Sequence, residues 1–339
     1  MNSLKHRDYC IDALKMLLIV LVIYGHIPLL DGLINEGVSI ECDSITWSAV
    51  KGVYAFHMPL FVLISGYFTK RRKFREQVIK SLSLLRMFLI FHSLDLFLNW
   101  CNSGVIPGWH ELIYPSFALW YLLCLFYWRI LVCLIPMNWD KRKVIIMSVV
   151  ISLLIGFLPV YGEFGLHRFI SFMPFFLIGH YYGGCFLRQS QIIARKITPP
   201  IYILLIIATI LLVFVVSFNP RWLDVIISPY SDYKGLPLRI AYLLYSLLIC
   251  LGIMVIFKRK NKWVQNKFSA WGADTLFFYL YHPYVLYSVV YVWSCYNSNV
   301  NFGASLLITL LTIVLLALLR NFKLMHYILR CKRPNSGAL

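Results

Sequence analysis

Ten apolar stretches of about 20 residues, each long enough to cross a hydrocarbon layer of about 30 Å, run through this chain of 339 residues. They lie at about 11–30, 47–68, 81–101, 117–136, 144–160, 169–187, 200–217, 237–257, 273–295 and 302–322, the fifth being the shortest. In lipid every backbone amide must find its partner inside the chain, and runs of this length do so as α-helices. The longest connection, about 218–236, is too short for a separate globular domain, and no internal repeat or low-complexity tract breaks the series. The expected fold is an all-α integral membrane protein, with residues 1–339 as one multi-span domain. A chain that is 60% hydrophobic and 14% charged is not a soluble enzyme.

The net charge of +18 could suggest nucleic acid, but its placement argues otherwise. Basic residues collect at Lys70-Arg71-Arg72-Lys73-Phe74-Arg75, Lys141-Arg142-Lys143, Arg188 to Lys196, Lys258 to Lys262 and the tail through Arg333. With ten spans all of these share a side with the N-terminus, whereas Asp31, Glu36, Glu41, Asp43, Glu111, Glu163, Asp224 and Asp232 fall on the other. The positive-inside rule then makes both termini cytoplasmic, and the basic excess serves topology and attraction to anionic lipid. The nine cysteines lack metal-ligand spacing; Cys42, Cys101 and Cys295 lie near the outer face without requiring a disulfide. No small-residue cleavage site follows the first apolar stretch, so it is kept as a helix rather than a signal peptide.

Polar residues inside spans carry the functional signal, because ionisable groups in a lipid-spanning helix face a protein interior or a watery cavity. Lys15 and His26 are eleven positions apart in the first stretch, about 1,100° of rotation, so both project from one face, with Asp12 on the same side. In the second, Pro59 comes near the start, where a missing amide is tolerated although deeper in it would kink the helix, while Ser65-Gly66 invites close helix approach. Packing is the simpler reading of Ser65; a nucleophile would need an adjacent base. The third stretch carries Arg86, which can snorkel, and His92 and Asp95, whose i,i+3 spacing allows contact. Arg129 follows Leu119-Trp120-Tyr121-Leu122 in the fourth, Arg168 opens the sixth, and the ninth holds Asp274 and His282-Pro283. For any one histidine here, a structural hydrogen bond and catalysis are both open readings.

The spacing Lys15-x10-His26, with Asp12 before it, resembles the Arg/Lys-x10-His signature of the membrane acyltransferase-3 family. The block Phe56-His57-Met58-Pro59-Leu60-Phe61 through Ser65-Gly66-Tyr67 is similar to that family's second-helix hallmark. Weaker echoes follow in order at Leu119-Trp120-Tyr121-Leu122, Pro174-Phe175-Phe176-Leu177-Ile178-Gly179 and Asp274-Thr275-Leu276 to His282. The general tone resembles the fucose-O-acetylase-like subgroup. Lys15 stands where Arg is commoner, losing bidentate geometry but keeping a point charge. The C-terminal esterase-like domain of some members is absent from this sequence.

The resemblance implies ten transmembrane helices, a bacterial inner membrane, and transfer of an acetyl or other acyl group from cytoplasmic acetyl-coenzyme A to a glycan hydroxyl. It implies no metal. A sugar hydroxyl needs a base whose pKa lies near working pH, which imidazole supplies. His26 is therefore expected to be the general base, with an acyl-histidine intermediate as the second variant. Lys15 either attracts carrier phosphates or pairs with Asp12. Arg71, Arg72 and Arg86 are further phosphate candidates, although topology explains the first two equally well. Ser65, His282 and Trp120 are additional candidates for the site. Trp222, Tyr230 and Tyr233 in the loop 218–236 suit either sugar stacking or an interfacial aromatic belt. The rival class is a transporter or flippase for a lipid-linked sugar, but the two halves show no matched helix interruptions. Expected partners are a glycan or lipid-linked sugar and membrane lipid, not nucleic acid.

Overall fold

A computed structural model describes residues 8–30, 40–217, 221, 224–258, 269 and 271–322. Every apolar stretch contains helix within these bounds. The helices are α1 (Tyr9–His26), α2 (Ser44–Tyr54), α3 (His57–Phe68), α4 (Phe74–Ser103), the short α5 (Trp109–Ile113), α6 (Trp120–Leu134) and α7 (Lys141–Leu154). After them come α8 (Leu166–Lys196), α9 (Pro199–Ser217), α10 (Gly235–Lys258), α11 (Thr275–Ser294) and α12 (Phe302–Leu319). Six segments are long and apolar enough to cross a membrane: Tyr9–Leu30, Ser44–Phe68, Phe74–Ser103, Glu163–Lys196, Gly235–Lys258 and Phe302–Leu319. The helices α6 and α9 are apolar but shorter. The chain is an all-α membrane protein, with one addition that the sequence did not suggest. Two-residue strands β1 (Glu41–Cys42) and β2 (Asn299–Val300) pair in parallel and tie the loop before α2 to the loop before α12.

Helix α1 is the axis of the bundle. Asp8 caps it, accepting from the amides of Cys10 and Ile11 at 3.1 and 3.3 Å, and its carboxylate also meets Lys258 at 2.7 Å. Unlike a surface helix it is buried on most sides, from Ile11 through Ile23, and packs against α2, α3, α11 and α12. By contrast α12 shows lipid one stripe: Leu306, Leu310, Val314 and Leu318 are exposed, while Ser305, Thr309, Thr312 and Leu316 are buried.

The second apolar stretch splits into α2 and α3 for a local reason. Pro59 has no amide to give the Ala55 carbonyl, which instead accepts from Ser246 Oγ on α10 at 2.5 Å. The neighbouring Tyr54 carbonyl accepts from the Tyr242 hydroxyl at 2.9 Å. The break thus becomes a docking point for α10. Further along α3, the close approach foreseen at Ser65-Gly66 is made by α8. A Cβ on Gly66 would run into the Phe176 carbonyl, and one on Gly179 into the Leu63 carbonyl.

The loop before α10 is held by a buried guanidinium. Arg239 is fully buried and donates to the carbonyls of Val225 (2.7 Å), Ser152 (2.9 Å) and Ser228 (2.8 Å), with Tyr230 stacked 4.7 Å away. Its remaining partner is His167 Nε2 at 3.4 Å. This clamp sets the segment 224–230 over the ends of α7 and α8.

Candidate functional site

At the end of α1 the helix tightens into a 3₁₀ turn, Ile27–Leu30, and His26 sits at that junction with only 9% exposure. Its Nδ1 lies 3.0 Å from Nε2 of His282 on α11. The other nitrogen of His282, Nδ1, lies 2.7 Å from the Tyr279 carbonyl. A carbonyl only accepts, so Nδ1 of His282 carries the proton. In neutral His282, Nε2 is then the lone-pair nitrogen, and His26 Nδ1 must donate to it. The consequence is a bare lone pair on Nε2 of His26, the form a general base needs.

This relay depends on Pro283. In a regular helix the amide of residue 283 would bond the carbonyl of residue 279; proline removes it. The Tyr279 carbonyl is left for the His282 imidazole one residue away. The Tyr279 hydroxyl in turn donates to the Ala118 carbonyl, fixing α11 against the start of α6.

His26 lines a cavity of about 430 Å³. Trp47, Tyr54, His57, Phe117, Trp120, Arg168, Phe172, Tyr242 and Tyr279 share its wall, and Asp224, Ile226 and Ile227 come from the clamped loop before α10. An apolar, aromatic chamber with a few polar groups is the usual form of a small-molecule site. His57 is a second imidazole there, 2% exposed, with Nδ1 donating to the Val53 carbonyl at 2.8 Å. Arg168 stacks over Trp120 at 5.1 Å.

The residues singled out in the sequence divide into two groups. His26, His282 and Trp120 come together at the cavity. Lys15 and Asp12 do not line it. They pair with each other at 2.7 Å, nearer the start of α1, with the Lys15 ammonium 5.6 Å from the Phe68 ring and Gly272 packed on the Asp12 carbonyl. Of the open readings for Lys15, the pairing with Asp12 is therefore present. Arg71 donates to the Cys133 carbonyl at 3.3 Å, Arg72 pairs with Glu76 at 2.8 Å, and Arg86 is exposed on α4. Ser65 hydrogen-bonds the Tyr121 hydroxyl rather than a base. His92 and Asp95 meet through Ser116 rather than by a direct hydrogen bond: His92 reaches Ser116 at 2.8 Å and the Leu112 carbonyl at 3.2 Å, and Asp95 accepts from the Tyr284 hydroxyl at 2.6 Å and also from Ser116. Asp274 pairs with Arg320 at 2.7 Å. Tyr230 is a packing residue, its hydroxyl on the Leu153 carbonyl at 2.8 Å, whereas Tyr233 is 84% exposed. Asp31, Glu36, Trp222, the basic residues 259–262 and the tail through Arg333 lie outside the described residues.

Sequence reasoning passed over His57, Arg168 and Tyr279 as site residues. Arg168 offered a signal: it is a cation at the end of a stretch where the surrounding loops are acidic, against the charge pattern of the rest of the chain. For Tyr279 the signal was weaker, a place three residues before His282.

Nodulation protein NolL of Mesorhizobium japonicum (strain LMG 29417 / CECT 9101 / MAFF 303099) is 37% identical over 98 residues. That match covers 29% of this chain, and the chain spans only 24% of the length of NolL. No solved structure matches the chain significantly. The family model Acyl_transf_3, described as an acyltransferase domain, matches residues 8–320, which include every helix and the whole cavity. The chain belongs to this acyltransferase family.

Proposed function

We propose that this protein is a membrane O-acyltransferase that moves an acetyl group from cytoplasmic acetyl-coenzyme A to a hydroxyl of a cell-surface or lipid-linked glycan, with His26 as general base. The observation that carries the reading is the Tyr279–His282–His26 relay at the wall of an aromatic cavity, because it leaves His26 Nε2 as a free lone pair. The acceptor hydroxyl gives its proton to that nitrogen as its oxygen attacks the thioester carbonyl. Collapse of the tetrahedral intermediate breaks the carbon–sulfur bond, and the departing thiolate takes the proton from the His26 imidazolium. His282 accepts from Nδ1 throughout and holds the ring's orientation.

In this reading the chain crosses a bacterial inner membrane ten times with both termini cytoplasmic, and α1 leads from the donor side to the cavity. Lys15, Arg71, Arg72 and Arg86 are the cations available to the carrier's phosphates. From Lys15 to His26 is eleven residues, about 16 Å of helix, a reach suited to an extended acyl carrier.

Alkali-labile acetate released from the surface glycan of host cells tests the proposal. Cells with the wild-type protein should release more than cells with a stably folded His26→Ala variant, which should match cells lacking the gene. Equal release from wild type and variant would remove His26 from the chemistry. An acid-quenched sample carrying label on protein would instead favour the acyl-histidine route.

A further inference from the structure

The cavity that holds His26 also holds a cation to which no described residue supplies an anion. Arg168 is in the first turn of α8 and is half-buried. Among the described residues no carboxylate comes within 4.0 Å of its guanidinium, and no acceptor is hydrogen-bonded to it. Its described contact is the face of Trp120, which offsets part of the cost of the charge but takes none of the five N–H donors. Asp224 is the acidic side chain of the cavity wall; it is exposed and makes no ion pair with Arg168.

The neighbouring internal arginine shows what this fold does when a guanidinium is structural. Arg239, which reaches the residue beside Arg168, has four of its five N–H donors taken by three carbonyls and His167. A cation away from bulk water without such partners is costly to maintain. A second, independent feature adds positive potential at the same place. The N-cap of α8 is Gly165, with φ of +67° and no side chain to cap the first amides. The Leu166 amide is taken by the Glu163 carbonyl of the preceding 3₁₀ turn, and a Cβ on Gly165 would lie 3.9 Å from Cβ of Trp120, so the helix start, which has no side-chain cap, adjoins the Arg168–Trp120 pair.

We infer that Arg168 and the first turn of α8 bind a negatively charged oxygen group of the acceptor, so that the substrate class is an acidic saccharide, carrying a carboxylate or a phosphate, rather than a neutral one. The guanidinium fork fits either group in a bidentate manner, and stacking on Trp120 fixes its plane. Trp47, Phe117 and Phe172 offer apolar faces to the sugar ring, with His26 in the same chamber. The biological meaning rests on the acyl-acceptor reading of the cavity, but the binding itself does not.

The full-length protein in lipid nanodiscs, without acyl donor, is titrated with glucuronate, glucose 6-phosphate and glucose, following the thermal midpoint. At least one of the two anions should raise the midpoint saturably while glucose does not, and which one does so identifies the group. Arg168→Gln should weaken that binding about tenfold or more, the usual size of charge-assisted hydrogen bonds. Arg168→Lys should fall between, which separates loss of the fork from loss of the fold. No response to either anion, an equal response to glucose, or an unchanged response in Arg168→Gln would overturn the inference. In transfer assays the same substitution should raise KM for acidic glycan. A loss confined to kcat and equal for acidic and neutral glycans would assign Arg168 to the oxyanion of the tetrahedral intermediate and overturn the acceptor assignment. Binding through Arg168 with no transfer by wild type would instead defeat the acyltransferase reading and leave the anion site standing.

Discussion

At the scale of single residues, the site turns on which nitrogen of which histidine holds a proton. Pro283, through the carbonyl it frees, sets that state two side chains away at His26. Replacing it makes an unusual prediction, because stability and activity should move in opposite directions. Pro283→Ala restores an amide that competes with His282 for the Tyr279 carbonyl. It also removes an interior proline, a residue about 3 kcal/mol less favourable in a helix than alanine. The variant should therefore be at least as stable as wild type while transfer falls about tenfold to a hundredfold, the scale of a misoriented catalytic group. A parallel loss of stability and activity would reduce Pro283 to a packing role. His282→Ala should lower kcat by a similar factor with KM unchanged and shift the acidic limb of the pH–rate profile, since the base loses the acceptor of its Nδ1 proton. A KM change alone would contradict that role. Both histidines were visible in the sequence as polar residues in apolar stretches. Their contact was not, because it joins positions 256 residues apart and no single-helix geometry predicts it.

At the scale of elements, hydrophobic length located every helix but the short α5 (Trp109–Ile113) and misjudged where several of them end. The predicted third and sixth segments, 81–101 and 169–187, sit inside α4 (Phe74–Ser103) and α8 (Leu166–Lys196). Apolar length reports the thickness of the lipid, whereas hydrogen bonding carries a helix onward through polar residues such as Arg188 and Gln189. The split between α2 and α3 was not expected, because Pro59 reads as tolerated near the start of one continuous stretch, and its neighbourhood's use as a landing point for Tyr242 and Ser246 was not legible either. Two predictions belong here. Gly179→Val should separate α3 from α8 and lower the thermal midpoint in detergent; an unchanged midpoint would mean the two backbones have slack. Arg239→Met should cost more than about 3 kcal/mol, because it strands three loop and helix carbonyls; a shift within the noise of the melt would show that water replaces them.

Across the whole molecule the loop before α10 is an irregular segment that reaches the cavity, as the link before α6 does at Pro115, Phe117 and Ala118, and its charges give it a pH dependence. The hydrogen bond from Arg221 holds the Asp232 carboxyl below the ordinary carboxylate range, with the ion pair at 2.6 Å. A depressed folded-state pKa contributes stability above the unfolded value and loses it as pH falls through the folded value. Hydrogen exchange in residues 224–235 should accordingly quicken below the carboxylate range, and Asp232→Asn should show the fast rate at neutral pH. Exchange that stays constant with pH would contradict this.

The class of the molecule was legible at this scale from apolar length and charge placement, and the family from motifs spread over most of the chain. The signal of Arg168, a cation among acidic loops, did not place it in the site; the packed cavity does, and there no carboxylate among the described residues pairs with it. The most direct measurement gives labelled acetyl-coenzyme A and glycan from a deacetylated host to membranes holding wild type or His26→Ala at equal folded levels. Label should enter glycan with wild type alone; equal labelling by both proteins would contradict the assignment of His26 as the base.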